Sequence, residues 1–201
     1  MSSISVRRYR PTGPKQGLRL VLTSLAVASI SVAATACGSS SKSGTQLSAD
    51  YTSAGLRAQS AGRTSEAVDD YNKAIAQDPK NKIAYYDLGL IQQTTGQLTA
   101  AEHNYRVALQ IDPDFTLALF NLAIIRTGPS PTEAVELYRH VLVNQPGSAG
   151  AHLNLGFVLL SLGRASEAKT EFAAAVQIDP GLAGRVPSTA PSPVPSASTH
   201  P

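Results

Sequence analysis

Four prolines in this 201-residue chain stand at nearly equal intervals along the sequence. They are Pro79, Pro113, Pro146 and Pro180, separated by 34, 33 and 34 residues. A period in the thirties is typical of stacked copies of one supersecondary unit, each of which buries its apolar face against a neighbour. Because proline lacks a backbone donor and disfavours helical backbone in the preceding residue, each of the four also predicts a helix end.

Within each unit, apolar residues recur with the spacing of one helix face. In the later part of the units they form four equivalent sets, which are Ala67, Tyr71 and Ala74; Ala101, Tyr105 and Ala108; Ala134, Tyr138 and Val141; and Ala168, Phe172 and Ala175. A second apolar pattern precedes each set, as in Leu88 and Gly89. Gly62, Gly96 and Gly163 fall between the two patterns, where a left-handed residue ends a helix at little cost. Each unit is therefore predicted to be a pair of helices.

This arrangement resembles the tetratricopeptide repeat (TPR), a helix-turn-helix unit of 34 residues with the pattern W-x2-L-G-x2-Y, then G, A-x3-F, A and P. The second unit matches best, through Tyr85, Leu88, Gly89, Gly96, Ala101, Tyr105, Ala108 and Pro113. The resemblance implies an all-α, TPR-type α-solenoid of four helix-turn-helix repeats over residues 48–182. The repeats are 48–81, 82–115, 116–148 and 149–182.

The third repeat is one residue shorter than the others, and the register on both sides places the deletion within residues 126–130. The turn between the two helices absorbs the deletion, which predicts a changed angle between them. Ser130, Pro131 and Glu133 then predict a capped helix start, with proline at the first helical position and the glutamate bonding back to the cap.

The first 36 residues have the order of a secretory signal. A basic stretch ends at Arg19, an apolar run follows from Leu20, and small residues precede Cys37. The sequence Ala-Thr-Ala-Cys that ends at Cys37 resembles the lipobox of bacterial lipoproteins, with alanine where leucine usually stands. The resemblance implies that the Cys37 thiol is acylated with diacylglycerol and that this residue becomes the new amino terminus.

We interpret residues 1–36 as a lipoprotein signal peptide, 37–47 as a flexible tether and 183–201 as a disordered Pro/Ser-rich tail. The expected location is the extracytoplasmic face of the cell membrane, held by the lipid anchor. Plain cleaved secretion and an uncleaved membrane anchor remain alternatives, because residues 20–36 are near the minimum length of a membrane-spanning helix.

Charge and composition argue against several function classes. Five of the 17 basic residues and none of the 14 acidic residues precede Cys37, so the remainder is slightly acidic, unlike a nucleic-acid-binding surface. The four histidines do not pair at metal-ligand spacing, and the sequence contains no nucleophile triad or Gly-rich phosphate loop. We therefore expect no catalytic residue, no metal and no cofactor. The aspartates before three of the repeat prolines are interpreted as turn residues.

In the TPR family, the first helices of successive repeats line a concave groove that binds proteins or peptides. The positions that the resemblance assigns to this groove are mostly apolar here and carry no charge. The candidate partner-binding residues are Leu56, Ile83, Tyr86, Leu90, Phe120, Ile124, Leu153 and Phe157. Uncharged side chains do not hold the acidic C-terminal tails that some family members clamp, so an apolar or amphipathic segment is expected instead. Packing between neighbouring first helices is an alternative role for the same residues.

The sequence thus predicts a membrane-anchored scaffold that binds another protein or peptide of the cell envelope. An envelope binder of a hydrophobic peptide or a lipid-like ligand is the alternative. The last helix, near Ala165–Ile178, is followed at once by the tail rather than by a polar capping helix. A homodimer formed through the C-terminal repeat is therefore a further hypothesis.

Overall fold

The computed structural model describes residues 42–187. The predicted signal peptide, Cys37 and the tail from residue 188 onward lie outside this range. Residues 42–187 form eight α-helices and a short 3₁₀ turn, with no strand. The helices are α1 (Gly44–Ser60), α2 (Thr64–Gln77), α3 (Lys82–Thr94), α4 (Leu98–Ile111), α5 (Thr116–Arg126), α6 (Pro131–Asn144), α7 (Ala149–Ser161) and α8 (Ala165–Ile178), and the 3₁₀ turn is Pro180–Arg185.

The helices pair within each repeat and stack between repeats. The odd-numbered first helices pack on the even-numbered second helices that follow them, and each second helix packs on the first helix of the next repeat. Gly62, Gly96 and Gly163 have φ angles of 72°, 79° and 74°, which lets the chain turn directly from the first helix into the second. This order confirms the predicted all-α, TPR-type solenoid.

The turns between repeats are built as the sequence predicts. Asp78, Asp112 and Asp179 each accept a hydrogen bond from the backbone N–H two residues later, at 2.9, 3.1 and 2.9 Å. This local bond stabilises the turn that contains the repeat proline. In the first of these turns, the Asn81 side chain also caps α3 by accepting a bond from the Ala84 N–H at 3.0 Å.

In each helix pair, one aromatic ring of the second helix is buried between the two helices. The rings belong to Tyr71, Tyr105, Tyr138 and Phe172. A Cβ atom built on Gly156 of α7 would lie 2.5 Å from the Phe172 ring, far inside van der Waals contact. Gly55 and Gly89 meet their rings in the same way, at 2.7 and 2.8 Å. The third repeat carries the slightly larger Ala123 at this position.

The core runs along the whole array without belonging to any single repeat. One buried cluster joins α1, α2 and α3, a second joins α4 and α5, and a third joins α5, α6, α7 and α8. Each repeat therefore buries apolar surface both within its own helix pair and against its neighbours, and stability is a sum over both kinds of interface.

The repeat domain starts earlier than its predicted boundary. α1 begins at Gly44, so the last residues of the predicted tether 37–47 are helical. Ser43 caps this helix by accepting a hydrogen bond from the Gln46 N–H at 3.2 Å. A Cβ atom at Gly44 would lie 2.8 Å from the carbonyl oxygen of Gln77, so the start of α1 packs closely on the end of α2.

The domain also continues further at its C-terminal end. The 3₁₀ turn Pro180–Arg185 enters the segment 183–201 that is predicted to be disordered. Leu182 and Val186 pack against the core cluster of the last two repeats. They cover part of the surface that a further repeat would occupy, although Ile178 remains 43% exposed. The unpaired apolar surface is therefore smaller than the sequence predicts.

The shortened third repeat loses its residue where the sequence predicts. α5 has 11 residues and ends at Arg126, whereas α3 and α7 have 13, and α6 begins with Pro131.

The predicted capping box at the start of α6 is wrong, because the Ser130 side chain makes no capping hydrogen bond. Glu133 instead accepts bonds from Arg106 Nη2 at 2.6 Å and Arg126 Nε at 2.7 Å. Two guanidinium groups compete for a carboxylate better than one backbone amide does. The changed angle between α5 and α6 stays a prediction.

The two arginines tie the shortened repeat to the repeat before it. Arg106 and Arg126 both also bond to Glu102 of α4, at 2.9 and 3.2 Å. Burial acts to raise the pKa of Glu133, but the hydrogen bonds from Arg106 and Arg126 outweigh it and lower that pKa. The four side chains thus link α4, α5 and α6 in one ionic network.

One acidic side chain is buried between the first two repeats. Asp87 of α3 is 6% exposed, and no donor within residues 42–187 reaches its Oδ2 atom. Burial raises the pKa of the Asp87 carboxyl to about 6. The titratable groups that face it are the phenols of Tyr71, Tyr86 and Tyr105, which belong to α2, α3 and α4. A buried carboxylate without a partner destabilises a fold, so Asp87 is an exception among well-bonded polar groups.

Replacing Gly156 with alanine is expected to destabilise the protein by about 1–3 kcal/mol, because the new methyl group overlaps the buried Phe172 ring and this outweighs the gain in helix propensity. Urea denaturation followed by circular dichroism measures the effect. Gly128→Ala is the matched control, since no atom lies within 4 Å of the corresponding Cβ position. An unchanged midpoint for Gly156→Ala would show that the ring moves aside without cost.

Asp87 is expected to make stability depend on pH. Its pKa rises from an ordinary 3.8 to about 6 on folding, so stability falls as the pH increases through this interval and stays lower above it. Two pH units correspond to about 3 kcal/mol. Asp87→Asn should match the wild type near pH 4 and exceed its free energy of unfolding by up to about 3 kcal/mol at pH 7. Urea denaturation over this pH range measures the difference, and parallel curves would contradict the prediction.

Candidate functional site

The first helices α1, α3, α5 and α7 present an apolar surface, which we call the first-helix face. Its apolar side chains are Leu56, Ile83, Tyr86, Leu90, Leu117, Phe120, Ile124, Phe157 and Leu160. Six of them are between 36% and 52% exposed, and Tyr86, Leu90 and Phe120 are half-buried. Seven of the eight candidate partner-binding residues are therefore at least partly accessible on this face.

Leu153 is the exception among the candidate residues. It is 2% exposed and belongs to the core cluster of the last two repeats. The half-buried Phe120 of the preceding repeat packs against the same cluster. Leu153 therefore fills the seam between α5 and α7, and packing between neighbouring first helices is its role.

Two hollows open on the first-helix face, and both lie beside α5. The first has a volume of about 310 Å³ and is lined by Tyr86 of α3, by Thr116, Leu117, Phe120 and Asn121 of α5, and by Val141, Gln145 and Ser148 of α6 and the turn into α7. The hollow between α5 and α7 has a volume of about 220 Å³ and is lined by Ile124, Thr127, Tyr138, Asn154 and Phe157. The two linings share no residue. Each combines two aromatic rings, at least one aliphatic side chain and one asparagine.

Buried rings hold the aromatic side chains of this face in place. The pairs, with their centroid distances, are Tyr86 with Tyr105 (5.9 Å), Phe120 with Tyr138 (5.7 Å) and Phe157 with Phe172 (5.1 Å). The last two pairs meet edge to face, a favourable arrangement of aromatic rings. Because the rings are already fixed, a partner that covers them loses less side-chain entropy on binding.

Glutamines of the first helices bond the buried tyrosines. The Tyr71 hydroxyl donates to Gln59 Oε1 at 2.8 Å, and the Tyr105 hydroxyl donates to Gln93 Oε1 at 2.7 Å. Burial raises the pKa of both tyrosines, so both remain protonated donors. Gln59 and Gln93 occupy positions that the resemblance assigns to the groove, and the structure shows that they orient the ring beneath it.

A row of polar side chains that the sequence analysis did not single out crosses the same face. Asp87, Asn121 and Asn154 occupy one equivalent position in the second, third and fourth repeats. Asn121 Nδ2 donates to the Tyr86 hydroxyl at 3.2 Å, and the Asn154 side chain interacts with the Tyr138 hydroxyl. Alignment of the repeats would have found this row, because the three residues share one register.

Within 42–187, no group of three His, Cys, Asp or Glu side chains is placed to hold a metal ion. None of the helices in this range is long and apolar enough to cross a membrane. The predicted lipidation site Cys37 lies outside the described range.

Solved structures support the same architecture. No curated protein is significantly similar to the chain in sequence. The crystal structure of MamA superposes with a TM-score of 0.61 and 20% identity, over 68% of this chain and 81% of MamA. PilF of Pseudomonas aeruginosa gives 0.59 and 24%, over 67% and 62%. The first TPR of Spaghetti (RPAP3), bound to an HSP90 peptide, gives 0.56 and 22%, over 59% and 95%. At these identities the similarity establishes the fold alone.

Family models match the repeats themselves. One TPR repeat model matches residues 59–96, and two tetratricopeptide repeat models match residues 83–115 and 130–184. Together these matches cover more than half of the chain and agree with the helix pairs of the structure. The chain belongs to the tetratricopeptide repeat family.

Proposed function

We propose that this protein is a membrane-anchored, extracytoplasmic scaffold that binds another protein of the cell envelope through the first-helix face. The observation that carries this proposal is the row of partly exposed apolar side chains along α1, α3, α5 and α7. Contiguous apolar surface of this kind is typical of a binding site in a soluble domain. Stacked repeats provide such surfaces for protein partners.

The shape of the face favours a protein segment over a lipid-like ligand. A small-molecule site is usually one concave pocket that encloses most of its ligand. Here the two hollows, of about 310 and 220 Å³, have separate linings. Successive side chains of one polypeptide segment would fill such hollows in turn, as the anchors of an amphipathic helix fill a groove.

The exposed side chains are sufficient for a useful affinity. Covering one large apolar side chain contributes on the order of 1.5–3 kcal/mol before ordering costs. A micromolar complex needs about 8 kcal/mol. Four anchors among Leu56, Ile83, Leu117, Ile124 and Phe157 would together contribute about 6–12 kcal/mol before ordering costs, a range that includes this value.

The lipid anchor is supported by the sequence that precedes the described residues. The basic, apolar and small-residue segments end at Cys37, which is the single cysteine of the chain. Ser43 caps α1, so few residues separate Cys37 from the folded domain. A lipid on Cys37 would therefore hold the first repeat close to the membrane surface.

Phe120→Ala combined with Phe157→Ala is expected to abolish partner binding while the protein stays folded, because both rings line the hollows and both are partly exposed. Affinity purification of the full chain from native membranes, with quantitation of co-purifying proteins, measures this. Val143→Ala is the matched control, since Val143 lies on α6 and is 79% exposed. Loss of helicity in the double variant would assign the rings to the core instead. Leu117→Ala, which removes a side chain that is 52% exposed, then tests the face by itself.

Metabolic labelling with a lipid precursor is expected to mark the wild type but not Cys37→Ala, because the thiol of Cys37 is the proposed acceptor. Ser39→Ala is the control, since it changes a neighbouring residue and leaves the thiol in place. The unlabelled variant should also leave the membrane fraction. Equal labelling of Cys37→Ala and wild type would overturn both the anchor and the proposed location.

A further inference from the structure

Asp87 occupies the position of α3 that is equivalent to Asn121 of α5 and Asn154 of α7, and its side chain is 6% exposed. It follows Ile83 by four residues and precedes Leu90 by three, so the three side chains share one side of α3. The equivalent residues Asn121 and Asn154 each line one of the two hollows of the first-helix face. This position therefore carries an acid in the second repeat where the third and fourth repeats carry an amide.

Asn121 finds a partner inside the protein, whereas no donor among the described residues reaches Asp87 Oδ2. The Asn121 amide donates to the Tyr86 hydroxyl of the preceding repeat at 3.2 Å, and the Asn154 side chain lies near the Tyr138 hydroxyl. Two of the three tyrosines that face Asp87 cannot serve it, because the Tyr71 and Tyr105 hydroxyls already donate to glutamine oxygens at 2.8 and 2.7 Å. The hydroxyl of the third, Tyr86, is bonded by Asn121. No other donor within residues 42–187 reaches Asp87 Oδ2.

Two lysines of the first two repeats are also engaged elsewhere. Lys73 pairs with Asp70 at 3.0 Å, and Lys82 pairs with Asp112. Neither ammonium group neutralises the Asp87 carboxylate. An asparagine at this position would satisfy the same space at no electrostatic cost, as the third and fourth repeats demonstrate. A costly polar group that the fold does not use is typical of a functional site.

We propose that Asp87 is the charge-recognition residue of the first-helix face and forms an ion pair with a lysine or arginine side chain of the bound segment. This inference rests on the proposed function. The occupant is a basic amphipathic segment of a partner protein: its cation lies against Asp87 of α3, and its apolar side chains enter the two hollows beside α5. A basic segment is the occupant because of charge complementarity: the predicted groove positions are uncharged, and the carboxylate of Asp87, which has no partner for its Oδ2 atom among the described residues, is negative.

A display library of random 12-residue peptides, selected against the immobilised full chain, tests this inference. Peptides selected on the wild type are expected to combine two apolar residues with a lysine or arginine at a constant offset. Selection on Asp87→Asn should keep the apolar residues and lose the basic one. Selection on the variant with Phe120→Ala and Phe157→Ala should lose the apolar residues.

Fluorescence anisotropy with one selected peptide then measures the pairing directly. Replacing its lysine with glutamine should weaken binding to the wild type at least tenfold and to Asp87→Asn less than twofold. Asp87→Asn should fold, because asparagine stands at the equivalent positions 121 and 154. Asp87→Ser is a second variant, since Ser53 occupies the position in the first repeat.

The outcomes separate this inference from the proposed function. Apolar enrichment on the wild type without any preference for a basic residue overturns the role of Asp87 and leaves the binding face standing. A basic preference that persists unchanged on Asp87→Asn also overturns it. If no peptide is enriched on the wild type, the proposed face and the role of Asp87 both fail.

Discussion

The contact between an aromatic ring and a residue with little or no side chain holds each helix pair together. At Gly55, Gly89 and Gly156, even one added carbon would approach the ring within 3 Å. The two helices can therefore pack at this short distance only because the first helix offers bare backbone there. Every later interface depends on this spacing, since each second helix must also receive the first helix of the next repeat.

The same rings connect the core to the candidate binding face. Phe120 and Phe157 rest on the buried rings of Tyr138 and Phe172, so partly exposed aromatic groups stand on a rigid base. Two other buried rings give their hydroxyl protons to glutamines of the first helices. These bonds orient the rings and at the same time leave Asp87 without a donor. The hydrogen bonds of the core thus leave Asp87 with a buried oxygen that has no donor among the described residues.

Features that depend on local backbone geometry were predicted correctly from the sequence. Proline ends helices and glycine allows tight turns wherever they occur, so the helix pairs, the turns and the site of the deletion in the third repeat were predicted correctly. Features that depend on contacts between residues distant in sequence were not predicted. Glu133 bonds to two arginines instead of the helix cap, and Leu153 is covered by the preceding repeat. Apolar contacts also order the chain as far as Val186, which a Pro/Ser-rich composition does not indicate.

The repeat period and the helical spacing of apolar residues were enough to specify a four-repeat solenoid, because both express short-range geometry that every copy repeats. They also placed the uncharged groove positions. The availability of particular side chains depended on the folded arrangement instead. Asp87, Asn121 and Asn154 share one register, yet among the described residues only Asp87 has a buried side-chain oxygen that no donor reaches. The side chains around Asp87 come from three different helices. The sequence of one helix does not show whether the donors on the other helices are already hydrogen-bonded elsewhere.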